Sequence, residues 1–152
     1  MTVEDLFARE AIRQLRIDYS TAFDTMDEAL VRRICTDDII CHYPTEYGGL
    51  YHGVDTVLVL FRETWKHMRA PRETLHLIAN HSIALTGPDS ARGDCLLVDL
   101  VTRQHEGSAI ATQGGHANPL LLLGHYEDQY VRQDGTWKFA RIDLSLLWPT
   151  RS

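Results

Sequence analysis

Apolar side chains change their spacing once along this chain, near Pro71. Before that point they recur at three- and four-residue steps. Leu6, Ile12, Leu15, Tyr19 and Phe23 form such a series, with one six-residue step bridged by Arg9, and predict a helix over 3–23 with a single buried stripe. Asp27 is placed to cap a second helix running through Cys35, with Leu30, Val31 and Ile34 turned inward, and Thr36-Asp37-Asp38 then breaks the pattern. Ile39 to Tyr43 reads as a short strand. A glycine-bearing turn follows in 47–53, and Asp55 is expected to cap a third helix from Thr56 to Met68, stopped before Pro71.

Beyond Pro71 the segments 74–85, 91–102, 120–132 and 136–148 are strand-length or longer and rich in apolar residues. Gly87-Pro88-Asp89 and Gln133-Asp134-Gly135 between them read as hairpin turns. Helices first and antiparallel strands afterwards is the α+β order, and a long meander of strands twists rather than staying flat. The expected fold is three amino-terminal helices on a curved, mostly antiparallel sheet, a cone enclosing a pocket, formed as one domain over 1–152. Gln104 to Asn118, with Gly107, Gly114 and Gly115, is too polar for a core strand and reads as a long loop and candidate lid.

Composition narrows the partners. Fifteen basic against 21 acidic residues give a net charge of -6, which repels a phosphate backbone, so nucleic acid is excluded as a partner class. No apolar run approaches the ~18 residues of a spanning helix, and Met1 to Glu10 carries acids rather than a signal-peptide core. A cytoplasmic protein without membrane contact is expected. Cys35, Cys41 and Cys95 are odd in number and set among apolar neighbours, which favours buried free thiols over disulfides or zinc. The eight histidines are scattered without an HExxH, so no metal or other cofactor is expected.

Five positions stand out as chemistry. Tyr19 and Asp24 lie five residues apart where the first helix ends, about 140° around its axis, so both reach one cavity only if the helix frays or turns near Asp24. A core tyrosine and a capping aspartate are the plainer alternatives. In the strand Leu75-His76-Leu77-Ile78-Ala79-Asn80-His81, alternation puts His76, Ile78 and Asn80 on one face and His81 on the other, so the two histidines do not share a pocket. His76 is a general base near neutral pH if a carboxylate orients its ring, and otherwise a structural residue. Asp99 is an acid inside Leu96-Leu97-Val98-Asp99-Leu100-Val101. Buried, it must be paired, protonated or on a polar cavity wall; the alternative is an edge position facing water. Arg141, in Trp137-Lys138-Phe139-Ala140-Arg141-Ile142-Asp143, is a cation for an acid inside the sheet, with Asp143 equally able to take it.

Ala11-Ile12 opening a helix, Tyr19, Asp24, Thr74-Leu75-His76 with Asn80, and the closing Tyr130-Val131-Arg132-Gln133-Asp134-Gly135-Thr136-Trp137-Lys138-Phe139 together resemble the SnoaL-like proteins of the NTF2-like superfamily, over nearly the whole chain. The branch it looks most like holds the bile-acid 7α-dehydratases, scytalone dehydratase and hexachlorocyclohexane dehydrochlorinase. That resemblance implies a catalytic set of Tyr19, Asp24, His76, Asp99 and Arg141, with the dyad on Asp24 and His76. The implied activity is a cofactor-independent elimination on a small hydrophobic cyclic, steroid-like or aromatic hydroxy-carbonyl compound. An isomerase or polyketide cyclase on the same scaffold, or a non-catalytic binding or scaffold subunit like that of ring-hydroxylating dioxygenases, is the alternative. Self-association is expected from the apolar residues Leu120 to Leu123, Leu144, Leu146, Leu147 and Trp148, and the resemblance favours a trimer.

Overall fold

A computed structural model describes residues 1–102 and 120–149. The helix α1 spans Val3–Thr25 and opens on a capping box, in which Asp5 N–H donates to Thr2 Oγ1 and Thr2 N–H donates to Asp5 Oδ2. Met26, with φ of 60°, ends it in the left-handed conformation. Ile12, Leu15 and Tyr19 are buried as the stripe requires, whereas Leu6 is half exposed. Asp27 caps α2, Glu28–Ile34, by accepting from the backbone of Leu30. That helix stops one residue short of the expected end, because Cys35 already pairs with Phe139 as the first residue of β1, Cys35–His42.

The short strand β2, Leu50–His52, turns back on β1, and α3 follows as Val54–Trp65. Gly53, not Asp55, makes the entry to α3: its φ of 86° turns the chain into the helix, while the Asp55 carboxylate pairs with Arg32 of α2. The rest of the sheet is β3, Thr74–Gly87, β4, Ser90–Val101, β5, Leu120–Gln133, and β6, Thr136–Trp148. Asp134 and Gly135, with φ of 50° and 77°, form the two-residue turn between β5 and β6. Positive φ at both central positions gives a turn whose twist matches that of the strands, which is why Asp-Gly serves there. The segment 104–118, read above as a loop, lies outside the described residues.

The strands order as β2-β1-β6-β5-β4-β3 in one curled, unclosed sheet. Four of the neighbouring pairs are antiparallel, and β1 runs parallel to β6. The helix α1 packs on β3 and β6, and α3 packs on β1 and β2. Core residues such as Ile12, Ile39, Leu58, Phe139 and Ile142 fill the space between.

One irregularity changes the expected faces. In β3, Ala79 pairs with Leu96 and Ser82 with Asp94, so Asn80 and His81 together oppose a single residue of β4. Asn80, at φ of 54°, absorbs the extra residue. Alternation therefore restarts out of phase. His81, Ile83 and Leu85 turn to the side that His76 occupies, and Asn80 is exposed, contrary to the simple alternation expected from the sequence.

Candidate active site

The bulge leaves the first half of β3 to carry the chemistry. His76 pairs directly with Asp99 across β3 and β4, so both side chains stand on the same inner face. His76 Nε2 lies 3.5 Å from Asp99 Oδ2. On the other side of the ring, Nδ1 is 2.6 Å from Asp24 Oδ1, at the last turn of α1. Asp24 also accepts the backbone N–H of His76 at 2.9 Å through Oδ2 and the Thr74 hydroxyl at 3.1 Å through Oδ1. A carboxylate that takes three donors is fixed in position. Its acceptor oxygen places the ring proton on Nδ1, so Nε2 is the nitrogen left to exchange protons.

Helix α1 does not fray to bring Tyr19 and Asp24 to one place. Asp24 stands behind the imidazole and reaches the site only through it, while Tyr19 itself lines the cavity. The 140° between them is thereby used, one residue on the cavity side and the other toward β3. Tyr19 Oη is 2.6 Å from Tyr43 Oη, and both hydroxyls border the same space. Phe23 meets the His76 ring edge-on, with centroids 4.8 Å apart, and holds it from above.

The cavity has a volume of about 140 Å³. Phe23, Leu60, Phe61, Leu97, Leu122 and Leu144 give it apolar walls, and Tyr19, Tyr43, Thr74, His76 and Asp99 supply its polar groups. Among the described residues, no lysine or arginine lines it. The arrangement suits a compact, uncharged, mostly apolar ligand with one or two oxygens.

Burial and neighbouring charge set the protonation of these groups. Burial alone would lower the His76 pKa, but its bond to Asp24 and the charge of Asp99 outweigh that, and the net shift is upward. Burial pushes Asp99 up to about 6, against a smaller lowering by His76. The imidazole and Asp99 are therefore electrostatically coupled, and the charge on each bears on the proton of the other. Asp99 Oδ1 is buried with no hydrogen-bond partner among the described residues, leaving one acceptor turned to the site. Burial also raises Tyr19 and Tyr43 well above the ordinary tyrosine value, so both remain donors at any working pH.

The structure thus brings Tyr19, His76 and Asp99 to one cavity with Asp24 behind them. Arg141 is not brought there. Its guanidinium closes on Asp143, two residues along β6, with Nε 2.6 Å from Oδ2 and Nη2 2.8 Å from Oδ1. Tyr43, Thr74 and Tyr126 were not singled out from sequence, although each touches the cavity. Only Thr74 had a signal, its position two residues before His76 on the same face. Cys35, Cys41 and Cys95 are buried and unpaired. Burial pushes the thiols of Cys41 and Cys95 up to about 12, which makes them inert.

Comparison with known proteins places the fold. The sequence profile described as the SnoaL-like domain matches residues 4–143. A putative scytalone dehydratase from Novosphingobium aromaticivorans DSM 12444 superposes with a TM-score of 0.79 at 22% identity, covering 100% of this chain and 95% of that one. The hexachlorocyclohexane dehydrochlorinase LinA-type3 from Novosphingobium barchaimii LL02 does so at 0.73 and 21%, covering 96% and 90%. A protein of unknown function with a cystatin-like fold from Nostoc punctiforme PCC 73102 superposes at 0.75 with 14% identity, covering 98% and 96%. At these identities the likeness is one of fold. No curated protein matches the sequence. Among the described residues no helix is long and apolar enough to cross a membrane.

Proposed function

The chain belongs to the SnoaL-like domain family, and from that premise we propose that it is a cofactor-independent lyase that eliminates water from a small hydrophobic cyclic or aromatic hydroxy-carbonyl compound. One observation carries the reading: His76 is held at Nδ1 by Asp24, which leaves Nε2 beside Asp99 at the edge of a cavity bordered by two tyrosine hydroxyls. The dehydratase and dehydrochlorinase named among the similar structures support it as a class of chemistry.

Elimination needs a base for an acidified C–H, a donor for the developing enolate and an acid for the departing hydroxyl. His76 Nε2 takes the proton beside the carbonyl, and Asp24 stabilises the imidazolium that results. The Tyr19 hydroxyl, tied to that of Tyr43, donates to the carbonyl oxygen as charge gathers there. In its protonated form Asp99 gives its proton to the hydroxyl. The C–O bond breaks, the C=C bond forms, and water leaves.

The test is turnover of a panel of cyclic and aromatic β-hydroxy ketones, followed by the absorbance of the conjugated product. His76→Ala is expected to abolish it while the far- and near-ultraviolet circular dichroism stay unchanged. Undiminished turnover in that variant sinks the assignment. The coupled pair of His76 and Asp99 also suits an isomerase, which carries a proton between two carbons, and a product of unchanged mass would favour that reading.

A further inference from the structure

Arg16 is 0% exposed, although no property of the fold calls for a charge where it lies. It sits one turn before Tyr19 on the inner face of α1, and its guanidinium is enclosed by three rings. Its carbon is 3.9 Å from the centroid of Tyr126, 4.7 Å from Phe139 and 4.8 Å from Tyr19. Strand β5 turns Tyr126, Asp128 and Tyr130 inward in alternation, and Asp128 takes Arg16 through both carboxylate oxygens while Tyr130 Oη donates to it at 2.7 Å. Arg16 Nη1 is buried and has no partner among the described residues.

A sealed ion pair of this kind is commonly no more stable than apolar residues of the same volume. Its position gives it another use. Tyr19 and Tyr126 are cavity walls, and Arg16 lies directly behind both while touching no part of the cavity itself. Asp128, which carries the opposing charge, contacts neither wall through any bond that the structure shows; its partners are Arg16 and Tyr130.

We propose that Arg16 is a positioning residue for charge in the cavity: from behind Tyr19 and Tyr126 it supplies a fixed positive potential at the tyrosine end, and so favours ligands that form an enolate- or phenolate-type oxyanion there. This rests on the elimination reading and adds to it the sign and source of the field that the oxyanion meets. A fixed charge behind a dry wall costs no reorganisation when the anion forms, and it acts through an effective dielectric of about 20 rather than that of water. The same field works against a proton on His76, in keeping with the lowering contribution of Arg16 to that ring.

The experiment uses 4-nitrophenol as probe and needs no turnover. Its bound ionisation is read from the phenolate absorbance across pH, in the wild-type chain, in Asp128→Asn, and in a chain carrying Arg16→Met with Asp128→Leu. Loss of the pair should lower the bound phenolate-to-phenol ratio about tenfold, while Asp128→Asn, which leaves Arg16 uncompensated, should raise it. A purely packing role for Arg16 moves neither. Equal ionisation in all three chains overturns the proposal, and so does failure of the wild-type chain to bind the phenol at millimolar concentration. If the apolar pair does not fold, the sign in Asp128→Asn decides: a rise supports the proposal, and no change or a fall overturns it. Loss of turnover in His76→Ala tests the elimination reading separately, so the two can fail independently.

Discussion

Asp24 grips His76 twice, through the ring at Nδ1 and through the backbone N–H, so one carboxylate fixes both the side chain and the strand that carries it. Asp24→Asn keeps the shape but loses the charge facing the imidazolium. Turnover should fall by orders of magnitude. The titration of the His76 imidazole, followed by the NMR shifts of its ring protons, is expected above pH 6.5 in the wild-type chain, because the net shift of His76 is upward, and it should move to lower pH in the variant. A titration that stays in place would show that Asp24 does not set the basicity of the ring.

The paired hydroxyls of Tyr19 and Tyr43 predict a graded loss. Tyr19→Phe should cost about 10²–10³-fold in kcat, as loss of one oxyanion donor does. Tyr43→Phe should cost less if it acts through Tyr19 alone, and the double variant should then be no worse than Tyr19→Phe. Steady-state kinetics on the four chains checks this. Additive losses would mean that both hydroxyls reach the ligand.

Asp99 should leave a mark on stability. Its folded pKa, about 6, lies above the 3.8 of an ordinary aspartate, so the folded chain holds the proton that the unfolded chain releases between those values. Stability from this group is therefore lost as pH rises from about 4 to about 6. Asp99→Asn removes the loss, and its Tm relative to wild type should climb across that range and level off above it, by the equivalent of about 3 kcal/mol. A difference that is flat with pH would contradict the raised value.

Self-association is expected through the outer sheet face, where Leu77 and Leu147 are each 51% exposed. Light scattering should report a trimer, the state the resemblance favours, at micromolar concentration. A monomer would contradict it, and Leu77→Asp with Leu147→Asp should dissociate the assembly without altering the cavity.

Much of this was legible in the sequence where one residue's environment followed from its neighbours. The stripe through Ile12, Leu15 and Tyr19, the Asp27 cap and the Asp134-Gly135 turn are local matters and appear as expected. The meeting of Asp24, His76 and Asp99 was also readable, since an acid within an apolar strand and a histidine at the head of another need partners. Arg16 was not. A charged residue in an amphipathic helix reads as solvent-facing, and only Asp128, 112 positions away, explains its burial. Arg141 went the other way, because the acid nearest to it on its own strand satisfies it before any distant one can. The face of His81 was misjudged because period-two alternation assumes an unbroken strand.

That break at Asn80 divides β3 into two reading frames. The stretch before it aims Thr74 and His76 into the cavity, and the stretch after it aims Ile83 and Leu85 into the packing against the helix. Had the ladder run on regularly through Asn80, Ser82, Ala84 and Thr86 would face inward and the apolar side chains would go to water; removing Asn80 would take out the bulge and leave His81, Ile83 and Leu85 where they are. The extra residue lets His76 and Ile83, an odd number of positions apart, face the same way, so the ligand end and the packed end of one strand are phased independently.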